Sequence, residues 1–442
     1  MSHPSTLAPP APRPPAAGPD LPRPLRPLRR LWRSRRLRRL PPVVSALGLF
    51  AAVRLAGVLA VAVAAFATDR PVLRMLGRSW DSAWYLGIAV YGYGHRTTHY
   101  RPGVVFSDLA FFPLYPGLVR GVEAVLPVSW GAAGLLVAWT AAAAAACGIF
   151  TLGSHLYGRP TGVVLVLLWG VLPHSVVLSM AYTEPLLTAF AAWALYAALT
   201  GRWVWAGTLA ALAGLSRPNG FAVAAAVLAA AAHELWRRHR EAHPHEVGAR
   251  GPRPAGSGVR GAGARAYGAQ GRGSVHRLWT GALLAPAGWC GYVLWVGQRR
   301  GDPLGGYFAV QRDWGSRFDF GQGAFAFVGV VLARTSKFVY PMALLIVLLA
   351  VLLFVLLLVE RTPLPLVVYA GVLLVVALGG AGFFESKPRF LLPAFPLLIP
   401  LARALARTAR ARPGPAIVVI AFLTGLSLSY GAFLIAFGRA PL

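Results

Sequence analysis

From residue 43 onward the chain is a succession of apolar runs separated by polar breaks. The runs lie at about 43–68, 108–126, 131–157, 160–180, 182–200, 203–216, 219–236, 278–297, 336–359, 364–383, 391–407 and 414–437. A helix needs roughly 20 mostly apolar residues to cross a hydrocarbon core of about 30 Å. The pattern therefore predicts an all-α polytopic membrane protein. Two longer polar stretches, 69–107 and 298–335, are too long for hairpin turns and are candidate functional loops. No internal repeat of fixed period is visible, so a repeat-built transporter gains no support.

Charge sets the expected orientation. Ten arginines lie in residues 1–42 and nine more in 237–277, together 19 of the 43 cations. Those stretches hold only three of the 14 acids, Asp20, Glu241 and Glu246. A net charge of +29 on a folded basic patch would suit nucleic acid. Basic stretches flanking spans instead follow the positive-inside rule, so both are assigned to the cytoplasm and no nucleic-acid partner is expected. Contact with anionic membrane lipids follows from the same placement. Residues 1–42, with twelve prolines, read as a disordered cytoplasmic tail and not a signal peptide. Residues 237–277, with nine glycines, read as a flexible cytoplasmic linker.

Parity constrains the topology. With residue 69 outside and residue 237 inside, an odd number of crossings must separate them, yet six apolar runs intervene. The run 108–126 is the one to remove. Pro113 and Pro116 break helices, and Asp108, Arg120 and Glu123 are costly in hydrocarbon. The result is a bundle of about 11 transmembrane helices. Residues 43–236 form an N-terminal catalytic module with outer loop 69–130, and 278–442 a C-terminal module with outer loop 298–335. The alternative merges 203–236 into one 34-residue helix, with Ser216-Arg217-Pro218-Asn219-Gly220 in its middle. Only the first version puts Glu184 on the same face as Asp81.

Composition agrees. The chain is 57% hydrophobic and 13% charged, with a mean hydropathy of +0.59, against roughly 25% charged residues in soluble domains. An ordinary soluble enzyme and a disordered chain are excluded. Cys147 and Cys290 both sit in apolar runs, so a disulfide framework is not expected.

The acids carry the information about chemistry. Five of the fourteen fall on the cytoplasmic side, and nine at or near the outer face: Asp69, Asp81, Asp108, Glu123, Glu184, Asp302, Asp313, Asp319 and Glu385. An outward polar site set in an apolar body is the usual form of a small-molecule site. In Trp80-Asp81-Ser82-Ala83-Trp84-Tyr85, a helix would bring Trp80 and Trp84 to one side, suited to the membrane interface. Asp81 would then stand among aromatic neighbours that favour a general base; the plain alternative is an aromatic belt with Asp81 at a helix start. Tyr182-Thr183-Glu184-Pro185 places an acid before a proline suited to a first helical turn. His174, ten positions before Glu184, is more simply structural. Arg217 stands at a span junction on the outer side, where a guanidinium suits a lipid phosphate. Gln311-Arg312-Asp313-Trp314 and Glu385-Ser386-Lys387-Pro388-Arg389 add further cations, for which surface snorkelling is the rival reading. Phe111-Phe112-Pro113-Leu114-Tyr115-Pro116 supplies an aromatic shelf. Zinc-ligand spacing, a Walker loop, a nucleophile elbow and a dinucleotide glycine fingerprint are absent, so neither a metal, a cofactor nor a soluble nucleotide donor is expected.

These segments resemble the PIG-V-like mannosyltransferases, a branch of the GT-C superfamily of membrane glycosyltransferases. The resemblance rests on WDSAWYLGIA (80–89), FFPLYP (111–116), YTEPLL (182–187), SRPNG (216–220) and, more loosely, FAVQRDWG (308–315) and SKPRFLLPAFPLL (386–398). It implies a GT-C-like bundle with an acid in the first outer loop. It also implies a polyprenyl-phosphate sugar donor, mannose-bearing in the family pattern, and inversion at the anomeric carbon. Asp81 then occupies the position of the catalytic acid. Glu184 orients a sugar hydroxyl or supports Asp81, and Arg217, Arg312, Lys387 and Arg389 are candidates for the donor phosphate. Trp80, Trp84, Tyr85, Tyr115, Tyr182 and Gln311 complete the candidate substrate-binding set. The expected acceptor is a glycan, lipid or protein hydroxyl, and the expected location a plasma membrane with the active site outside. Two rivals stand beside this reading: a transporter or lipid flippase using the outer acids for coupling, and a non-catalytic assembly scaffold.

Overall fold

Proline and glycine divide the apolar runs at the points where the backbone loses a hydrogen-bond donor or a side chain, and the helices end there. A computed structural model describes residues 41–101, 103–243, 274–333 and 337–438. The arginine-rich tail and most of the 237–277 linker lie outside the described residues. The helices are α1 (Pro42–Ala67), α2 (Val72–Gly77), α3 (Asp81–Tyr91), α4 (Leu114–Val125), α5 (Trp130–Tyr157), α6 (Arg159–Gly170), α7 (Glu184–Leu199), α8 (Trp203–Ser216) and α9 (Phe221–Ala242). They continue as α10 (Val275–Leu284), α11 (Ala287–Arg299), α12 (Gly306–Asp313), α13 (Gln322–Ala333), α14 (Val339–Val359), α15 (Leu364–Gly379), α16 (Lys387–Phe390), α17 (Ile399–Ala411) and α18 (Pro413–Ala436). One antiparallel hairpin, β1 (Thr97–Arg101) and β2 (Val104–Ser107), pairs Thr97 with Ser107 and carries a bulge after His99.

The chain is an all-α integral membrane protein. Five described helices are long and apolar enough to cross a bilayer, or six if the pair Phe384–Phe390 and Phe395–Ala411, bent by 77°, counts as one broken span. The other expected crossings correspond to shorter or divided helices. The run 160–180 stops as an α-helix at Gly170 and resumes as a 3-10 turn, Ser175–Ser179. The run 278–297 is cut between α10 and α11 at Pro286, which has no N–H to donate. Arg217 is extended (φ −158°, ψ 158°), as expected for a residue before proline, so α8 and α9 are separate and no merged 203–236 helix exists. The run 108–126 contains a 3-10 turn, Asp108–Ala110, and the twelve-residue α4, about 18 Å long and shorter than a hydrocarbon core. The stretch 298–335 is not simply a polar loop. It holds α12 and the apolar α13, whose QGAFAFVGVVLA sequence the count of charged residues in its first half obscures.

Packing centres on α5, which lies against α6 and α7; α7 packs on α8, α8 on α10 and α11, and α9 on α15. The first and last spans, α1 and α18, pack together. Small residues make these approaches possible, because helices in lipid gain most from close van der Waals contact. A Cβ on Gly148 would stand 2.9 Å from that of Ala192, and one on Gly207 would run into the backbone of Gly281. Gly207→Ala should therefore force α8 and α10 apart at a cost of about 1–3 kcal/mol. The check is thermal unfolding of the purified variant in detergent; an unchanged midpoint would show that the crossing relaxes freely.

Candidate functional site

Four irregular points of the backbone meet at one place. Trp80 takes a left-handed conformation (φ 49°), so α3 begins only at Asp81. Asp81 thus sits in the first turn, where a carboxylate complements the helix dipole, and its N–H donates to the Tyr182 hydroxyl at 3.3 Å. Glu184 opens α7, with Pro185 behind it in the first turn. Arg217 occupies the break between α8 and α9, and Arg389 belongs to the four-residue α16.

The four side chains form one charge network. Arg389 Nη1 lies 2.8 Å from Asp81 Oδ2, and its Nε lies 3.2 Å from Glu184 Oε1. The same Glu184 oxygen pairs with Arg217 Nη1. Arg217 also donates to Thr183 Oγ1 at 3.1 Å, and Thr183 Oγ1 lies 3.0 Å from the Tyr85 hydroxyl. Two carboxylates and two guanidiniums balance in formal charge, which is the condition for burying such groups. Arg389 also stands over the rings of Tyr182 and Phe390 at 5.2 and 5.1 Å.

Exposure separates the roles of the two acids. The Asp81 side chain is 21% exposed, whereas Glu184 is wholly enclosed and both arginine side chains are 6% exposed. Asp81 is the acid that a solute can reach. Glu184 exposes no surface and contacts Arg217 and Arg389. Arg217 Nε and Asn219 Oδ1 are buried beside the network without hydrogen-bond partners.

The aromatic residues form the wall, in an arrangement that differs from the expected interfacial pair. Because α3 starts after Trp80, the two tryptophans do not share a helical face. Trp80 packs on the central core, while Trp84 belongs to a second cluster. There Trp84 stacks on Phe111 (5.7 Å), meets Trp314 edge-on (5.2 Å) and carries Arg96 over its ring (4.1 Å). Tyr85 is edge-on to Tyr115 (5.2 Å), whose hydroxyl donates to the Gly134 carbonyl at 2.8 Å. Burial pushes the Tyr85 phenol well up, against the opposing pull of Arg217, so it stays a neutral hydroxyl. Tyr85→Phe should lose the link to Thr183 and about 1 kcal/mol of stability, read as a lowered unfolding midpoint; an unaltered midpoint would mean that Thr183 holds Arg217 unaided.

Three expected members stand elsewhere. Gln311 donates to the Ala110 carbonyl (3.3 Å) and the Tyr307 hydroxyl (2.9 Å). Arg312 is exposed. Lys387 donates to the Gly380 carbonyl at 2.9 Å and faces the Phe384 ring, away from its neighbour Arg389. On the single turn of α16, residues two apart point to different sides. His174 is buried edge-on to Tyr430 (5.4 Å), in keeping with a structural place. Thr183, which joins Arg217 to Tyr85, and Phe390, which faces both arginines, were missed as individual residues, though both lie inside the quoted motifs.

No family model matches the chain, and no curated protein does. Among solved structures it is similar to the Archaeoglobus fulgidus oligosaccharyltransferase in complex with Zn and sulfate (13% identity, TM-score 0.40, covering 87% of this chain and 54% of that one). It is similar also to the archaeal oligosaccharyltransferase AglB of Archaeoglobus fulgidus in complex with an inhibitory peptide and a dolichol-phosphate (11% identity, TM-score 0.45, covering 90% and 56%). The chain spans about half the length of each, and a likeness of this degree leaves the reading of the site to its own residues.

Proposed function

We propose that the chain is an inverting membrane glycosyltransferase that moves a sugar, mannose in the first instance, from a polyprenyl phosphate to an acceptor hydroxyl. The observation that carries this reading is the reachable Asp81 carboxylate set 2.8 Å from a buried guanidinium, with a second guanidinium held by the same enclosed glutamate. Transfer with inversion needs a base on one side of the anomeric carbon and positive charge on the other. Asp81 takes the proton of the acceptor hydroxyl as its oxygen bonds to the anomeric carbon. The bond from that carbon to the phosphate oxygen breaks, and the electron pair leaves with the phosphate. Arg389 and Arg217 are assigned to that developing charge, because Arg312 and Lys387 lie away from the network. Glu184 is a positioning residue for both arginines. The eleven-span topology, with the cytoplasmic basic stretches and Asp81 on the outer side of a plasma membrane, belongs to the same proposal.

The test is purified protein in detergent, offered radiolabelled polyprenyl-phosphate sugars one at a time with candidate glycan, lipid and peptide acceptors, the product being identified by mass. A transporter has no gradient to work on there and makes no product. Glycosidic product from polyprenyl-phosphate mannose is the expected result. No transfer from any lipid-linked sugar would overturn the proposal.

A further inference from the structure

The segment joining the first span to Asp81 carries three arginines that no contact among the described residues accounts for. Arg70 stands just before α2, Arg74 within it and Arg78 at its C-cap, four residues apart in turn, and all three are exposed. Among the described residues, no ion pair, side-chain hydrogen bond or ring contact engages them. Some surface arginines elsewhere are engaged, Arg237 and Arg238 by Glu234, Arg403 by Glu360, Arg299 by Trp295 and Arg240 by Trp236, whereas single exposed arginines such as Arg120, Arg312 and Arg317 share the unengaged state without forming a row. The one acid of the segment is the exposed Asp69, so the row keeps a net positive charge. On the side assigned to residue 69, the positive-inside rule has no use for arginines.

Two apolar features fix where the row stands. The 26 residues of α1 measure about 39 Å as a helix, more than a hydrocarbon core of about 30 Å, so the span ends at headgroup level. Phe66 and Leu73 beside the row are 91% and 65% exposed, as suits side chains in lipid, while Met75, Leu76 and Gly77 face the protein. A short segment with apolar side chains toward acyl chains and cations at headgroup depth suits anionic headgroups.

We infer that Arg70, Arg74 and Arg78 form a contact surface for anionic phospholipid headgroups, which seats the first outer loop on the membrane. The seat is tied to the site by the backbone. The Leu76 carbonyl accepts the Ala181 N–H at 2.9 Å, next to Tyr182, and the chain runs from Arg78 through Trp80 into Asp81. The contact surface therefore sets the height of both halves of the site, and it holds whatever chemistry Asp81 performs.

The experiment uses the full chain with Cys147→Ser and Cys290→Ser, a bimane label on Leu73→Cys, and vesicles of phosphatidylcholine with added phosphatidylglycerol. Quenching by doxyl-phosphatidylglycerol is compared with quenching by doxyl-phosphatidylcholine. We expect the anionic quencher to be preferred. Each of the three arginines changed to glutamine should lower the preference about fivefold, the factor given by about 1 kcal/mol per surface cation, and raised salt should lower it too. Equal quenching by the two lipids would overturn the inference, as would a preference that survives the triple variant or a label that neither lipid quenches. The Asp81→Asn protein should keep the preference, so failure of the catalytic reading is distinguishable from failure of this one.

Discussion

Asp81→Asn should abolish sugar transfer while leaving the protein folded. The substitution keeps the shape of the side chain and its place in the first turn of α3, and Arg389 retains its second carboxylate, Glu184. What is lost is the group that accepts a proton, and removal of a positioned general base typically costs 10²–10⁴-fold. Initial rates with polyprenyl-phosphate mannose, measured on variant and parent purified to the same unfolding midpoint, give the comparison. A rate within a few-fold of the parent would take Asp81 out of the reaction and leave the scaffold reading standing. Located by cysteine labelling on the arginine-rich side of the bilayer, the same residue would lose its assignment as well.

Glu184→Gln should be the most destabilising of the single changes in the site. The glutamate is the shared counter-charge of two buried guanidiniums, with no exposed surface of its own. An amide at that position leaves Arg217 and Arg389 facing each other without a neutralising group between them. Removing one partner of a buried ion pair costs about 3–5 kcal/mol, far more than an exposed pair is worth. The midpoint of thermal unfolding should fall accordingly, and transfer should fall with it as Arg389 moves off Asp81. Replacing Glu184 and Arg217 together by leucine removes a charge of each sign and should restore part of the lost stability. If the double variant is no more stable than Glu184→Gln alone, the network is not coupled as the geometry indicates.

The site was legible in fragments. Asp81, Glu184, Arg217 and Arg389 each stood out because charges are scarce in an apolar chain, and each lies at a helix start or break that a neighbouring proline or turn marks. Arg312 and Lys387 stood out on the same ground and do not join them. Scarcity identifies candidates, but it carries no direction. The pairing of Trp80 with Trp84 failed for a local reason: the left-handed Trp80 delays the helix by one residue, and a shift of that size removes a shared face. The hidden helix α13 escaped because its apolar residues follow a charged stretch within the same break.

What the amino-acid order determined by itself is the membrane class and most of the apolar runs that become helices. Those properties depend on neighbours along the chain, on hydrophobic length and on the missing donor of proline, and both are read locally. Tertiary structure alone decided which charges meet. Asp81 and Arg389 are 308 residues apart, and their contact exists only because α3, α7, the α8–α9 break and α16 converge. It also decided that Glu184 is enclosed while Asp81 stays reachable. Burial is a property of the packed bundle, and no stretch of sequence contains the elements that supply it.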